Sequence, residues 1–455
     1  MASARAGADG RTAAGAAPGI AASAAMFIVC MDTLITNVGL PTITAELGGG
    51  MAAQQWIVDG YTLPFATLLL LAGNLSDRFG AKRVFAVGTA AFAAASLVCG
   101  LAASVGVLIA GRALLGVGAA LILPSSMALI KEGYEDGPAR SRALAFWGVG
   151  GSASAAVGPI LGGILVPIHW SLIFLVNVPI CLGILLLVPR LARSPRNVQP
   201  FDLVGQVLAI VGMGSLVGGV IEGGSEGFAG FPAAMLAVGA VAIAAFLYSQ
   251  TRVAHPMMPL GLFGATGMRM AVLGGFVMIL NWNGLIFMGT LALQQQLGLT
   301  PFASGMAFVP AAVTGIIGNL VSDRLVGGRG FRFAILTAIA IMMTGFAILA
   351  IGSQSPSLGL IAVGVAIVGS GGAVGTPSLA ALVLRSVDSS QAGIASAVFN
   401  TMRQVGGAIG IAAFGVMATA MPTFSDGLTA SYATSLVLLA AMLAYALHAK
   451  RLGSR

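Results

Sequence analysis

GNLSDRFGAKR, residues 73–83, is a short and strongly charged stretch between two long apolar runs, in a chain of which only 8% is charged. Asp77, Arg78, Lys82 and Arg83 are too costly to leave in hydrocarbon, so the stretch is expected as a turn at a water face. Gly73 and Gly80 suit close helix approach and a sharp reversal without a Cβ clash. A degraded copy, GNLVSDRLVGGRGFR, occupies Gly318–Arg332, at an offset of 245 residues (318 − 73). Pro124-Ser125 recurs as Pro377-Ser378, at an offset of 253 (377 − 124). Both offsets exceed half of the 455 residues, so the chain reads as two related halves with an extra segment between them.

Composition fixes the solvent. With 58% hydrophobic residues and a mean hydropathy of +0.98, the chain is no ordinary soluble domain, whose charged fraction is about 25%. Apolar runs of bilayer-spanning length, ~20 residues, follow one another with little between them. The spans must be helical, because lipid offers no partner to a free backbone group, and the continuous runs exclude a barrel. The net charge of +8 belongs to cytoplasmic loops rather than to a nucleic-acid surface. Cys30, Cys99 and Cys181 fall inside apolar runs and give no disulfide framework. His169, His255 and His448 are dispersed and lack metal-ligand spacing. None of Lys82, Lys131 and Lys450 lies in a Gly-x4-Gly-Lys-Ser/Thr loop, so neither ATP nor any cofactor is expected. Arginine outnumbers lysine 19 (22 − 3) to 3, beside abundant Ala and Gly, the usage of a GC-rich bacterial genome.

Fourteen helices are expected, over 19–42, 53–74, 82–103, 105–130, 142–166, 171–189 and 203–222, then 231–250, 270–293, 303–324, 333–352, 358–385, 392–418 and 430–448. The first continues to about Leu40 and carries Asp32, so it is a retained span rather than a signal peptide. Every Lys and Arg outside the spans falls in alternate loops, from Arg78, Lys82 and Arg83 to Arg324, Arg329 and Arg332 and the tail Lys450, Arg451 and Arg455. The intervening loops hold only acidic charge, such as Glu46, Glu226 and Asp426. This asymmetry places both termini in the cytoplasm and requires an even number of spans. The chain divides into a disordered cytoplasmic tail (1–17), a six-helix half (18–190), an inserted pair with linkers (191–255), a second six-helix half (256–449) and a tail (450–455). Parallel halves related about the membrane normal are a transporter architecture.

Five motifs in order carry a family resemblance. MDTLITNVGLP (31–41), WIVDGYTL (56–63), GNLSDRFGAKR (73–83), GRALLGVGAALILPS (111–125) and GPILGG (158–163) resemble signatures of the major facilitator superfamily, in its fourteen-helix drug:proton antiporter branch. The resemblance runs from about Ala22 to the C-terminus. It implies a major facilitator fold of fourteen spans, and an efflux function of the multidrug or antibiotic-resistance kind.

Strongly ionisable residues well inside the spans are few: Asp32, Asp59, Arg112 and Arg403. Each should face a wet cavity or a partner, since a charge at the helix centre costs about 2.5–3.5 kcal/mol. At 1.5 Å per residue, Asp32, Asp59 and Arg112 fall in one slab, from midplane to outer half, where they could form a proton-linked site. Burial and a nearby Arg112 pull the protonation of Asp32 in opposite directions, which makes it sensitive to cargo. Asp32 is therefore read as a proton carrier or cation contact, against a helix-packing residue bonded to Thr33, Thr36 or Asn37. Asp59, with Gln55 and Thr62 on its face, is a second proton site or a solvated residue of the outer mouth.

For Arg112 the resemblance implies control of proton release; the alternative is a strut for its helix. Arg403 is a regular feature of the branch, without an assigned task, and is read as structural or gating. Gly158, Pro159, Gly162 and Gly163, with Gly150 and Gly151, make a pliable, closely packed fifth helix. Asp77, Arg78 and Arg83 pair with one another or cap a helix start, contacts that in the family hold a form closed on the cytoplasmic side. Met26, Trp56, Phe65, Trp282, Phe287 and Met288 are candidates for a greasy pocket.

The combined reading is a monomeric, proton-coupled exporter of lipophilic small molecules, working by alternating access in a bacterial inner membrane. An exporter of an endogenous metabolite or lipid precursor is the rival within the class. A membrane-embedded enzyme would need His paired with Ser, or a metal cluster, within the spans, and a channel would need a ring of carbonyls or charges.

Overall fold

The computed structural model describes residues 16–134, 137–196, 202–354, 357–388 and 391–449. Most of the two tails expected at 1–17 and 450–455 lies outside these residues. The described chain is helical, without strands. Its spans are α1 (Ala17–Leu47), α2 (Met51–Phe79), α3 (Ala81–Gly100), α4 (Val105–Gly133), α5 (Gly137–Leu165), α6 (Leu172–Arg190), α7 (Leu203–Glu226) and α8 (Phe231–Gln250). They continue with α9 (Thr266–Gln296), α10 (Pro301–Ser322), α11 (Arg324–Gly352), α12 (Leu358–Arg385), α13 (Ala392–Ala420) and α14 (Phe424–His448). Thirteen are long and apolar enough to cross a bilayer; α13, interrupted by Arg403, has a similar length of 29 residues.

The helices overrun their expected bounds, and this corrects the reading of the first motif. Residues 73–79 are not a loop but the last turns of α2, and Gly80 alone makes the reversal, at φ 90°. Its positive φ is open to glycine and strained for other residues. The second copy repeats the device: the helix of α10 continues through the first residues of α11, and the chain turns within α11 at Gly330, at φ 82°. Hydropathy marks where the oil ends, whereas a helix continues into water until a residue breaks it. Gly73 makes no close approach here, since a methyl group on it would meet nothing within 4 Å.

Within the first half α1 packs on α5, α2 and α3 on α4, and α3 on α6; in the second, α9 packs on α13, α10 and α11 on α12, and α11 on α14. Glycines permit the closest of these approaches. Gly150, Gly158 and Gly162 seat α1 against α5, and Gly406 and Gly410 rest on the backbone of α9 at Phe276 and Leu280. The inserted pair, α7 and α8, forms a hairpin, and α7 lies along the seam where α2 meets α13. Val217 and Ile221 of α7 pack with Leu63 of α2 and Ala408 and Ala412 of α13. Polar contacts fix the register: Gln206 Nε2 donates to the Thr67 carbonyl (2.8 Å), Trp56 Nε1 to Glu222 Oε1 (2.7 Å) and Thr419 Oγ1 to the Gly224 carbonyl (2.9 Å). The exposed side of α8 carries Phe231, Val238, Val241, Leu247 and Tyr248, an apolar surface suited to lipid.

The two halves touch mainly at the end of the bundle far from residues 16 and 449, here the distal end. There Gln55 Nε2 donates to the carbonyls of Ile411 (3.2 Å) and Ala412 (2.9 Å), and Gln294 Nε2 to that of Val38 (2.9 Å). Pro159 and Gly163 of α5 rest on Gly305 and Phe302 of α10, so close that a methyl group on either glycine would overlap its neighbour. At the proximal end a cavity of about 550 Å³ separates Asn74 and Asp77 of α2 from Gly393, Ile394 and Ala397 of α13.

Candidate functional site

Asp32 and Arg112 form an ion pair with both side chains fully buried. A charge pair removed from water holds only if its remaining donors and acceptors are met, and most of them are. Asn177 of α6 donates its Nδ2 to Asp32 Oδ1 (2.9 Å), and Arg112 Nε donates to the Ile57 carbonyl of α2 (2.8 Å). The guanidinium lies over the Tyr61 ring, 4.5 Å from its centroid, and 5.9 Å from that of Phe174. Such faces attract cations. Tyr61 is itself held by its hydroxyl, which donates to the Val29 carbonyl of α1 (3.0 Å). Four helices thus converge on one carboxylate: α1 carries it, α4 and α6 bind it, and α2 orients its partner.

The pair lies inside the first half, not in the space between halves. Leu34 and Val38 of α1 line a central apolar cavity of about 180 Å³ together with Pro159, Trp282, Ile286 and Ala311. Asp32 is turned to α4 and α6 instead. The expected hydrogen bonds to the Asp32 side chain from Thr33, Thr36 or Asn37 are not made: Thr36 Oγ1 donates to the Asp32 backbone carbonyl (2.7 Å), and Thr33 and Asn37 bond other main-chain carbonyls.

Asp59 does not join this pair. It is fully buried, and neither carboxyl oxygen has a hydrogen-bond partner among the described residues. It is therefore no solvated residue of the outer mouth. One turn before it Gln55 reaches α13, and one turn after it Leu63 packs on Ala408 and Ala412 of α13 and on α7. Asp59 belongs to the face of α2 that closes against the second half and the inserted helix.

Of the other candidates, Asp77 lines the proximal cavity opposite the start of α13, which has no side-chain cap. The helix-capping expected of Asp77 is thus not made to α13 in this arrangement. Arg83 is exposed beside Arg193 and Arg196. Arg78 stands at the end of α2, 5.8 Å from the centroid of the Phe79 ring. Gly80 is overlain by Ser194, whose Oγ accepts from the Lys82 amide (2.9 Å) and donates to Glu132 Oε2 (2.5 Å). Gly158 and Gly162 face α1, while Pro159 and Gly163 face the second half. Arg403, near the middle of α13, is half-buried; its Nη1 lies 3.4 Å from Asn400 Oδ1, and its Nε has no partner among the described residues.

Among the suggested pocket residues only Trp282 lines the central cavity; Phe65, Phe287 and Met288 are buried core, Trp56 packs on Gly218 of α7 and Met26 on Gly151. Sequence reasoning missed Asn177, Tyr61 and Glu222. Asn177 had a signal, as an amide within the apolar run LIFLVNVPICL.

The family model described as Major Facilitator Superfamily matches residues 22–411. The multidrug efflux pump LfrA of Mycolicibacterium smegmatis is 34% identical over 398 residues, covering 87% of this chain and 79% of the relative. The methylenomycin A resistance protein of Streptomyces coelicolor is 34% identical over 421 residues, 91% of this chain and 88% of its own. The cephamycin export protein CmcT of Amycolatopsis lactamdurans is 37% identical over 408 residues, 86% and 83% of the two chains. In fold, the chain is similar to a POT family transporter solved in complex with 5-aminolevulinic acid (TM-score 0.71, 13% identity, 97% of each chain covered). A D-xylose-proton symporter is similar too (TM-score 0.64, 14% identity, 94% and 96% covered).

Proposed function

The chain belongs to the Major Facilitator Superfamily, and we propose that it is a proton-coupled exporter of lipophilic small molecules such as drugs or antibiotics. It is a multi-pass membrane protein, and on this reading it sits in a bacterial inner membrane with both termini cytoplasmic, so the distal end faces outward. The relatives described above are efflux and resistance proteins. The observation that carries the coupling is the buried Asp32–Arg112 pair, braced by Asn177 and Ile57. A proton arriving on Asp32 cancels its attraction for Arg112 and frees α1 and α4 to shift relative to each other. Because Asp32 is turned away from the cavity, it acts on cargo through helix packing rather than by contact.

Asp59 supplies a second protonation site. With neither oxygen satisfied, a proton is the neutralising partner left to it while α2 and α13 are closed. Parting of those helices at the distal end wets it and lets the proton exchange. The central cavity of about 180 Å³ is smaller than the ~300–1,000 Å³ of a drug-sized site, so cargo enters from the wider proximal cavity and the pocket opens around it.

The test is cargo-induced proton flux in sealed vesicles bearing the wild type, Asp32→Asn or Asp59→Asn, with an anionic and a cationic lipophilic dye, fluorescein and ethidium, as probes. The expected result is flux in the wild type, abolished in Asp32→Asn. Flux that persists at the wild-type rate in Asp32→Asn removes that carboxylate from the mechanism. Uphill export of whichever dye is carried that survives collapse of the pH gradient removes proton coupling altogether.

A further inference from the structure

Arg403 is a cation near mid-depth of the second half with no carboxylate assigned to it. The only acidic residues of that half are Asp323, Asp388 and Asp426. Asp323 falls between the α10 and α11 spans, Asp388 precedes α13 and Asp426 lies in the first turn of α14. None is near the level of Arg403. Across the interface Asp32 is already held by Arg112 and Asn177, and Asp59 has no partner among the described residues. Among the described residues what touches Arg403 is neutral: Asn400 Oδ1 at 3.4 Å, a long contact, and the Phe399 ring, its centroid 5.6 Å from the guanidinium carbon. The stem passes Gly275 of α9, two helical turns before Trp282 of the central cavity, and Arg403 follows Ala397 of the proximal cavity by six residues.

A guanidinium held in a membrane without a counter-ion is expensive and normally marks a ligand path. Its planar fork of donors matches an oxyanion, which it can bind with two parallel hydrogen bonds. We propose that Arg403 receives the oxyanion of the cargo, so that the transported molecules are amphiphiles carrying a carboxylate or a like acid group. This rests on the export reading above and names its substrate class; Arg403 lines neither cavity in the present arrangement and meets the cargo as the pocket opens around it. The apolar wall of Leu34, Val38, Trp282, Ile286 and Ala311 takes the hydrophobic body, and Arg403 takes the charge. The energetics agree: an anion leaving and a proton entering both carry positive charge inward, so an inside-negative membrane potential drives the exchange.

The test uses the full chain purified in detergent, with fluorescein, its ethyl ester and the cationic rhodamine 6G as probes read by fluorescence anisotropy. The wild type is expected to bind fluorescein more tightly than either of the other two xanthenes. Equal affinity for the acid and its ester, or preference for rhodamine 6G, overturns the proposal without any variant being needed. Arg403→Gln is expected to weaken fluorescein binding roughly tenfold or more, the loss of one charge-assisted contact, while leaving rhodamine 6G within about twofold. Arg403→Lys, which keeps the charge, is expected to retain most of the affinity. An equal loss of all three dyes in both variants assigns Arg403 to packing and overturns the proposal. Displacement of fluorescein by short-chain phosphatidylglycerol, but not by phosphatidylcholine, identifies the oxyanion as that of an anionic lipid; no displacement leaves a drug-like acid. Selective binding that persists while efflux ignores the pH gradient sinks the proton coupling and leaves the substrate class standing.

Discussion

Removing the charge from Asp32 leaves the guanidinium of Arg112 buried with the Ile57 carbonyl and two aromatic faces, but nothing anionic, against it. Breaking a buried pair from one side costs about 3–5 kcal/mol. Asp32→Asn is therefore expected to lower the unfolding midpoint clearly, and Asp32→Asn combined with Arg112→Gln to recover much of the loss while transport stays absent. The same chemical change at Asp59 has the opposite sign. No partner is lost there, and a carboxamide is easier to bury than an unsatisfied acid, so Asp59→Asn is expected to hold or raise the midpoint while abolishing coupling. Thermal unfolding in detergent, run beside vesicle flux, separates the two; a large destabilisation by Asp59→Asn would mean that the carboxyl has a partner after all. At this scale the sequence was informative where rarity was the signal: a few charges in a long oily chain must each matter. It was silent on pairing. Asp32, Asp59 and Arg112 were placed at one depth, but depth says nothing about which face of a helix a side chain occupies. The brace from Asn177 lies 145 positions away, beyond any local pattern.

The reversal between α2 and α3 turns on one residue, and its two glycines should respond differently to the same methyl group. Gly80 sits at φ 90° with Ser194 Cβ only 3.1 Å from where its own Cβ would stand. Gly80→Ala is expected to cost about 1–3 kcal/mol from the backbone alone, since φ 90° with ψ 133° is a conformation that essentially only glycine adopts. Gly73 lies inside the helix with open space beside it, so Gly73→Ala should stabilise by about 0.5–1 kcal/mol. Closing the proximal cavity brings α13 towards that same surface, however, so Gly73→Ala is expected to slow transport in spite of its stability. Midpoints and initial efflux rates of the two variants check this; a Gly73→Ala chain that is both stable and fully active shows that α13 never approaches Gly73. The motif was legible as a water-facing break and its internal copy as a sign of two halves. The break itself was not legible as a single residue, because Ser76, Asp77 and Arg78 are polar enough to end a hydropathy run yet remain in helical turns. The inserted pair was likewise legible as an insertion. Its docking along the α2–α13 seam was not, since an evenly apolar helix such as α8 gives no directional pattern to read.

Each half is held together by glycine-to-backbone contacts, so beyond a local shift of α1 on α4 the change of access is expected from the halves moving as bodies. In the present arrangement they are joined distally through Gln55, Gln294 and the Pro159–Gly305 contact, and parted proximally. The opposite arrangement must break the distal set. Positions 55 and 415 are suited to report this, because a Cβ at Gly415 would press directly on the Gln55 side chain. In a chain with Cys30, Cys99 and Cys181 replaced, cysteines at 55 and 415 are expected to cross-link on mild oxidation and to stop efflux, with reductant restoring it. Cysteines at 74 and 394, on opposite walls of the proximal cavity, should cross-link poorly at rest. Their yield should rise when the distal end is propped open by Gly305→Leu, whose side chain has no space against Pro159. If the 55–415 cross-link forms completely and efflux continues at its former rate, then the distal contacts are not the gate, and access must change by a motion within the halves that their packing here does not provide.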